Sequence, residues 1–340
     1  LRFIGFDAFT ISTTSIVERF ISQCEKDGLM TKLVVNLPGN NGFYGTYCVH
    51  GQAGVSIANH NVFEYGTTVS MLDRDTCGTS SSLQSNNTTC TDAHNDGIED
   101  ALRQNSMTFG KVDRLASSIL DFQLNGLYAA NLPEYINTTL PVVYFTQADM
   151  QSFDATTDLV EGALHIMNCG GSNVSLGSAA LLNNKGNNNN TDGASTIPDD
   201  ITLQNLAIVG SGCSFSFDKT VSYESAMIMT DATGSNTFSA SADVRLGLDD
   251  DCKQGGEVVL LTLGSVGFAA KISAYDLEIV ASGDVSFAAQ GQTADAGSIH
   301  QGTSIWAGGD IKMRTGQRFV GCDGATDSTY DVKYTLRFVE

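Results

Sequence analysis

The sequence predicts a mainly β protein: a right-handed, parallel β-helix or solenoid-like C-terminal half behind a smaller mixed α+β region. Three observations predict it. The composition is that of short strands and turns, with 35 Gly, only 4 Pro and 16% charged residues, whereas helical proteins are richer in charge. A short cassette of an apolar pair, a glycine turn and a second β-branched or aromatic pair recurs after residue 161. Finally, the cassette's spacing is uneven in the way of solenoid coils whose loops differ in length: Val266, Val285 and Ile311 lie 19 and 26 residues apart.

The copies read Ile166 to Leu176, Ile208 to Phe215, loosely Met229 to Phe238, then Leu261 to Phe268, Ile279 to Phe287 and Ile305 to Met313. One coil has an apolar face and unpaired edges, and stacking coils buries both. A sandwich of similar appearance is the competing architecture. The expected organisation is an apolar arm over 1–30, a mixed region over 31–160, the repeat domain over 161–325 and a C-terminal strand over 326–340. In the mixed region, strand-like runs at 32–37, 55–57, 67–71 and 141–145 surround one helical stretch, Asp96 to Gln123. Asn183 to Gly193 reads as a solvated loop, and Val332, Tyr334, Leu336 and Phe338 alternate with polar neighbours as a strand does.

Charge and cysteine restrict the function classes. A formal charge of -20 argues against nucleic-acid or anionic-membrane partners, which need a basic face. Eight cysteines without a C-x-x-C pair suit disulfides in an oxidising, exported setting: Cys24, Cys48, Cys77, Cys90, Cys169, Cys213, Cys252 and Cys322. Cys77 and Cys90 bracket a polar segment that a bridge would tie off. Asn86, Asn87, Asn137, Asn173 and Asn189 each open an N-x-[ST] sequon, although Asn- and Ser-rich chains also generate sequons by chance. The opening stretch carries Leu1, Phe3, Ile4, Phe6 and Phe9 but also Asp7, Glu18 and Arg19, so it predicts no membrane span. It reads either as the remainder after removal of a targeting segment or as an arm that docks on its own or a neighbouring subunit.

Chemistry-bearing motifs are scarce. The sequence has no G-x-S-x-G, H-E-x-x-H or phosphate-binding loop. Cys48 with His50 and His60 could be assembled into a metal site or a nucleophile pair, but half a disulfide is the simpler reading of Cys48. Asp284 and Asp310 hold equivalent places on successive coils, where paired carboxylates could cleave glycans; turn chemistry is the stronger reading. Asp249, Asp250 and Asp251 offer hard oxygen ligands for calcium, or else a hydrated loop; no other cofactor is implied.

A set of islands resembles the TadG-related proteins of the tight-adherence (Tad/Flp) pilus system, of the alphaproteobacterial type. They run from Tyr47-Cys48-Val49-His50-Gly51-Gln52-Ala53-Gly54-Val55-Ser56 through Phe63-Glu64, Gly66-Thr67 and Val69-Ser70-Met71 to Ala101-Leu102-Arg103-Gln104 and Leu132-Pro133 with Tyr135-Ile136. Asp250-Asp251-Cys252 with Gly255-Gly256, the two Gly-Asp cassettes and Gly321-Cys322 complete the set, over roughly residues 36 to 322. The resemblance implies an exported, non-catalytic, pilin-like component whose partners are further copies, other pilus subunits or a surface glycan. Members usually begin with a membrane-spanning segment; none is read in the opening stretch, which argues against anchoring by this stretch and leaves processing or secretion as the expectation. Adjacent-coil geometry then suggests Cys169 with Cys213 and Cys252 with Cys322, leaving Cys24 with Cys48 after Cys77 with Cys90, one of many connectivities that eight cysteines allow.

Overall fold

The computed structural model describes residues 27–78, 90–178, 201–240, 244–251, 253, 255–269, 271–287 and 299–322. Within them most strands are short, all paired strands are parallel, and each coil visits three faces in turn. Face 1 carries β1 (Gly28–Thr31), β4 (Cys48–Gly51), β7 (Thr68–Met71), β8 (Leu102–Gln104), β9 (Val143–Phe145), β10 (Leu164–Asn168), β17 (Val258–Thr262), β20 (Leu277–Ala281) and β23 (Ser304–Ala307). Face 2 is a separate sheet of β2 (Val34–Leu37), β5 (Gly54–Ile57), β11 (Asn173–Leu176), β13 (Ser214–Phe217), β15 (Phe238–Ala240), β18 (Val266–Phe268), β21 (Val285–Phe287) and β24 (Ile311–Lys312). Face 3 holds β3 (Gly42–Tyr44), β6 (Val62–Phe63), β16 (Val244–Leu246), β19 (Ile272–Tyr275), β22 (Ile299–Gln301) and β25 (Arg318–Val320). The long strands β12 (Ile201–Ser211) and β14 (Val221–Thr230) bend through the corner between faces 3 and 1 and join them into one sheet. That corner needs left-handed backbone at Asn205 (φ 56°), Ser225 (φ 47°), Asp276 (φ 45°) and Gly302 (φ 62°). Asn, Asp and Gly tolerate this conformation best.

The order of coils along the stack differs from the order in sequence. On face 1 the strands follow one another as β9, β10, β12, β14, β17, β20, β23, β1, β4, β7 and β8. The chain therefore enters in mid-stack at β1, winds to one end, returns to the other, and winds back until β23, β24 and β25 meet β1, β2 and β3. Residues 31–71, expected within a separate mixed region, are coils of the same solenoid. A boundary near 161 does not separate two stacks, and Gly28–Met30 is a rung, not part of an arm. The expected C-terminal strand and most of the N-terminal arm lie outside the described residues.

The return is made along the outside by helix α2 (Gly110–Asn125), whose buried Val112, Leu115, Ile119 and Phe122 recur at helical spacing. At 1.5 Å per residue its 16 residues span about 24 Å. Rungs are about 4.8 Å apart, so it crosses about five of them. It covers an outward row running Val209, Met229, Leu261, Val280, Trp306, Met30, which explains why face 1 is apolar on both sides. The helix expected over 96–123 is thus split: α1 (Ile98–Ala101) is one turn, and Leu102 turns inward beside Val69 as the last rung. Lys111 fastens the strap, pairing with buried Glu278 and lying 5.6 Å over the Trp306 ring.

Inside, aromatic side chains stack from coil to coil as a ladder along much of the solenoid, on face 2 as far as Phe287 and on face 3 from His300 onward. Phe215–Phe238, Phe268–Phe287, Phe287–His300, His300–Phe319, Phe319–Phe43 and Phe43–Phe63 have ring centroids 5.9, 5.4, 5.2, 4.6, 5.1 and 5.0 Å apart. Identical types stack because parallel in-register pairing places equivalent positions above one another. At the ends, Phe145 and Phe153 pack edge to face over His165, and α1 closes the opposite side beside β6 and β7.

Two disulfides are described, Cys77–Cys90 and Cys169–Cys213, with Cα atoms 6.3 and 5.0 Å apart. Closing segments of 13 and 44 residues removes about 3 and about 4 kcal/mol of unfolded-chain entropy in the loop-closure model. Cys48 and Cys322 are also disulfide-bonded, while Cys24 and Cys252 lie outside the described residues. The ladder makes the interior much less tolerant than the strap's outer face. Phe319→Ala should cost about 3–5 kcal/mol in urea unfolding, whereas Leu124→Ala, at a position 73% exposed, should fall within about 0.5 kcal/mol of the parent.

Candidate functional site

The polar residues singled out by the sequence lie in the turns, and there they join one coil to the next. Between faces 1 and 2, Ser265 Oγ accepts from the Asp284 backbone N–H (3.0 Å). Asp284 Oδ1 accepts from Asp310 N–H (2.9 Å), and Asp310 Oδ1 from Val34 N–H (3.2 Å). Lys312 Nζ bridges both carboxylates, at 2.7 Å from Asp284 and 3.7 Å from Asp310. The two aspartates are therefore stacked on one face, as equivalent coil positions require, and each caps the rung above it.

A glycan-cleaving acid needs a raised pKa. Partial burial pushes Asp284 upward, but the Lys312 hydrogen bond, the Asp310 N–H and the Lys312 charge outweigh it and hold the carboxyl below its usual range. Lys312 is correspondingly raised by its hydrogen bond to Asp284.

Between faces 2 and 3 runs an amide ladder. Gln317 N–H donates to Asn41 Oδ1 (2.9 Å), Asn41 N–H to Asn61 Oδ1 (3.0 Å), and Asn61 N–H to Asn95 Oδ1 (2.8 Å), all in buried surroundings. Asn61 Nδ2 also donates to Ala58 O and Asn95 Oδ1. An amide serves here because it can accept from the next coil and donate to its own turn at once. Sequence reading missed this ladder. The visible signal was an Asn at each turn exit, in Asn40-Asn41-Gly42, His60-Asn61-Val62 and Asn95-Asp96-Gly97, diluted by the abundance of Asn elsewhere.

The histidines separate into roles. His60 and His94 are exposed, joined through a backbone hydrogen bond from His60 N–H to His94 O (2.7 Å). His50 is buried on the outward row, with Nδ1 2.8 Å from Ser70 Oγ and Nε2 2.9 Å from Gln52 Oε1. Burial holds its pKa down. Because Cys48 is disulfide-bonded, the Cys48/His50/His60 nucleophile or metal reading falls away. His165 is likewise buried and lowered. His300 sits in the aromatic ladder with Nε2 2.8 Å from Gln317 Oε1, and complete burial pushes its pKa down to about 4.

At the corner between faces 3 and 1, Asp276 is raised to about 7, first by burial and then by the charges of Asp250, Asp27 and Glu257. Asp249 and Asp251 are exposed, and Asp250 Oδ1 caps its own turn through Lys253 N–H (3.0 Å). Among the described residues no three His, Cys, Asp or Glu side chains converge as a metal-holding group, so the calcium reading of Asp249–Asp251 gains no geometric support. Of the sequons, Asn137 and Asn173 are exposed; Asn137 Oδ1 accepts from Thr139 N–H (3.0 Å) and Oγ1 (2.7 Å). Asn86, Asn87 and Asn189 lie outside the described residues. A shallow depression near one end is lined by Tyr144, Phe145, Asp149, Ser152 and Asp158. No described helix is long and apolar enough to cross a membrane.

Two buried titrations act on stability with opposite sign. His300, lowered from 6.5 to about 4, contributes stability that is lost as pH falls through that window, about 3 kcal/mol at full extent. Asp276, raised from 3.8 to about 7, contributes stability present at low pH and lost as pH rises toward 7. The parent protein should therefore show partial cancellation between pH 4 and 7. Urea midpoints of His300→Phe should fall more steeply with rising pH than those of the parent, and those of Asp276→Asn should tilt the other way. Parallel pH profiles for all three proteins would refute both assignments.

A protein-family model described as a domain of unknown function (DUF7867) matches residues 28–323. Comparison with curated proteins and with solved structures finds no match. The matched span opens on the first residue of β1 and closes just after the last coil, so it coincides with the stack itself. The match spans the whole stack and not its C-terminal half alone, and this chain therefore belongs to the DUF7867 family.

Proposed function

We propose that this protein is a non-catalytic, extracellular structural subunit of a surface filament of pilus type, acting through assembly with further copies or partner subunits. The observation that carries this reading is the use made of its polar groups. The carboxylates, amides and hydroxyls that could have formed a reactive centre instead join rung to rung, at Asp284, Asp310, Asn41, Asn61 and Gln317. Thr230 and Thr31 do the same, donating to Cys213 O and Gly309 O across successive turns. Such a body is stiff along its axis, which suits load-bearing or display.

Disulfides and the abundance of sequons favour an exported setting, and the islands similar to TadG-related proteins favour a pilus context. The apolar segment Leu1 to Phe9 supplies a candidate assembly arm, able to add a strand to a neighbour. A surface glycan is the natural adhesive target, with no nucleic acid involved at this net charge.

One observation favours a second reading: Asp284 and Asp310 do stack on a partly exposed face, which a secreted polysaccharide-degrading enzyme could use. The two readings separate experimentally. Negative-stain micrographs and light scattering of the intact protein should show concentration-dependent assemblies that shrink when residues 1–9 are deleted. Monomers at every concentration, with or without the arm, would defeat the structural reading. A reducing-sugar assay on a glycan panel should stay at background; activity abolished by Asp284→Ala would establish the enzyme instead.

A further inference from the structure

We propose that residues 28–104 form an exchangeable module, so that the coils of one molecule complete the stack of a second copy of the same chain. The inference rests on the assembly reading above and names its contact. The junction between this module and the block from 143 to 322 has the chemistry of any rung-to-rung contact, yet no peptide bond crosses it. Gly28 N–H donates to Thr303 O (3.0 Å), Lys32 N–H to Ala307 O (3.1 Å), Gly42 N–H to Gln317 O (2.9 Å) and Met313 N–H to Asn36 O (3.0 Å). Met30 registers with Trp306, Val35 with Ile311, and Phe43 with Phe319. The aromatic and amide ladders both pass through it, at Phe319–Phe43 and Gln317–Asn41.

Among the described residues the two blocks are joined through the chain from 105 to 142, while Cys48 of the module and Cys322 of the second block are each disulfide-bonded as well. Helix α2 belongs with the second block, since it packs on β12, β17, β20 and β23. Between α2 and the last rung of the module lie Asn105 to Phe109, outside helix and strand, which form the hinge. Both described disulfides lie within one block each, Cys77–Cys90 in the module and Cys169–Cys213 in its partner block. At the hinge itself Phe109 is buried between His50 of the module and Trp306 of the second block, with ring centroids 6.1 and 6.2 Å away, and the polar contacts lie at the rim. Lys32 pairs with Asp113 at 2.5 Å in an exposed ion pair, and Gln52 Nε2 donates to Ser106 Oγ (3.1 Å).

An opened monomer would expose Trp306, Phe319 and a row of strand edges, so it does not persist alone. Exchange remakes every one of these contacts with a second chain, which leaves concentration and the hinge to decide between closed monomer and linked copies. Register is safe in either arrangement, because a one-residue slip would put the aromatic ladder on the outside.

The test uses two outward positions that face each other across the junction, Asn36 and Lys312, partners in register on face 2. Chains carrying Asn36→Cys and Lys312→Cys, differently tagged, are co-expressed, oxidised and run without reductant. Exchange predicts a covalent species of doubled mass that contains both tags, growing with expression level. The double variant on one chain reports that the junction itself forms. A second pair, Tyr44→Cys with Val320→Cys, reads the same junction on face 3 should the first disturb folding. If both double variants close their bond within one chain while the mixed pairs never link, exchange is overturned. Filaments seen in micrographs without mixed-tag species would leave the assembly reading standing and defeat this one alone.

Discussion

Every other feature of this protein depends on parallel, in-register pairing between successive coils. A parallel rung offers a full row of N–H and C=O groups on each side, and neither side can be left to solvent-poor surroundings without cost. The chain satisfies that demand even where its own connectivity runs out. At β23 the next residues in sequence do not supply the next rung, and the opening coil, β1, takes that place. The interior then follows from the register. Equivalent positions superpose, so phenylalanines stack on phenylalanines and asparagines cap asparagines.

The strap is the second consequence. A chain that starts in mid-stack must travel back along the outside, and the outside of face 1 is then no longer surface. The outward row beneath α2 is apolar from Val209 to Met30; beyond the helix it changes to His50, Ser70 and Arg103. Glu278 is the exception under the helix, and it is paired with Lys111, as a buried carboxylate must be. The strap and the outward row are thus one design seen from two elements.

The polar sites show how the same logic bears on function. Asp284 and Asp310 look like a catalytic pair when read as two carboxylates at equivalent positions, and like a ladder when their acceptors are traced. Lowering of Asp284 by Lys312 suits an acceptor that must stay ionised. His300 and Asp276, by contrast, are shifted in opposite directions by burial, because burial disfavours the charged form of each. Neither was singled out by motif or spacing, since titration behaviour of this kind is created by surroundings.

By itself the sequence determined the strand-rich class, the cassette and its coil spacing, and it suggested the pairings Cys77–Cys90 and Cys169–Cys213 that the structure holds. These are local: they depend on composition, on periodicity and on residues that sit in neighbouring coils. Only the tertiary structure decided that residues 28–71 belong to the same stack, that Leu102 leaves the helical pattern to become a rung, and that Gln317 meets Asn41. The first and the last of these contacts join residues 276 apart in sequence, and pairing partners at such separation are chosen by which open edge is left over when the coils have stacked, a quantity that no local pattern encodes.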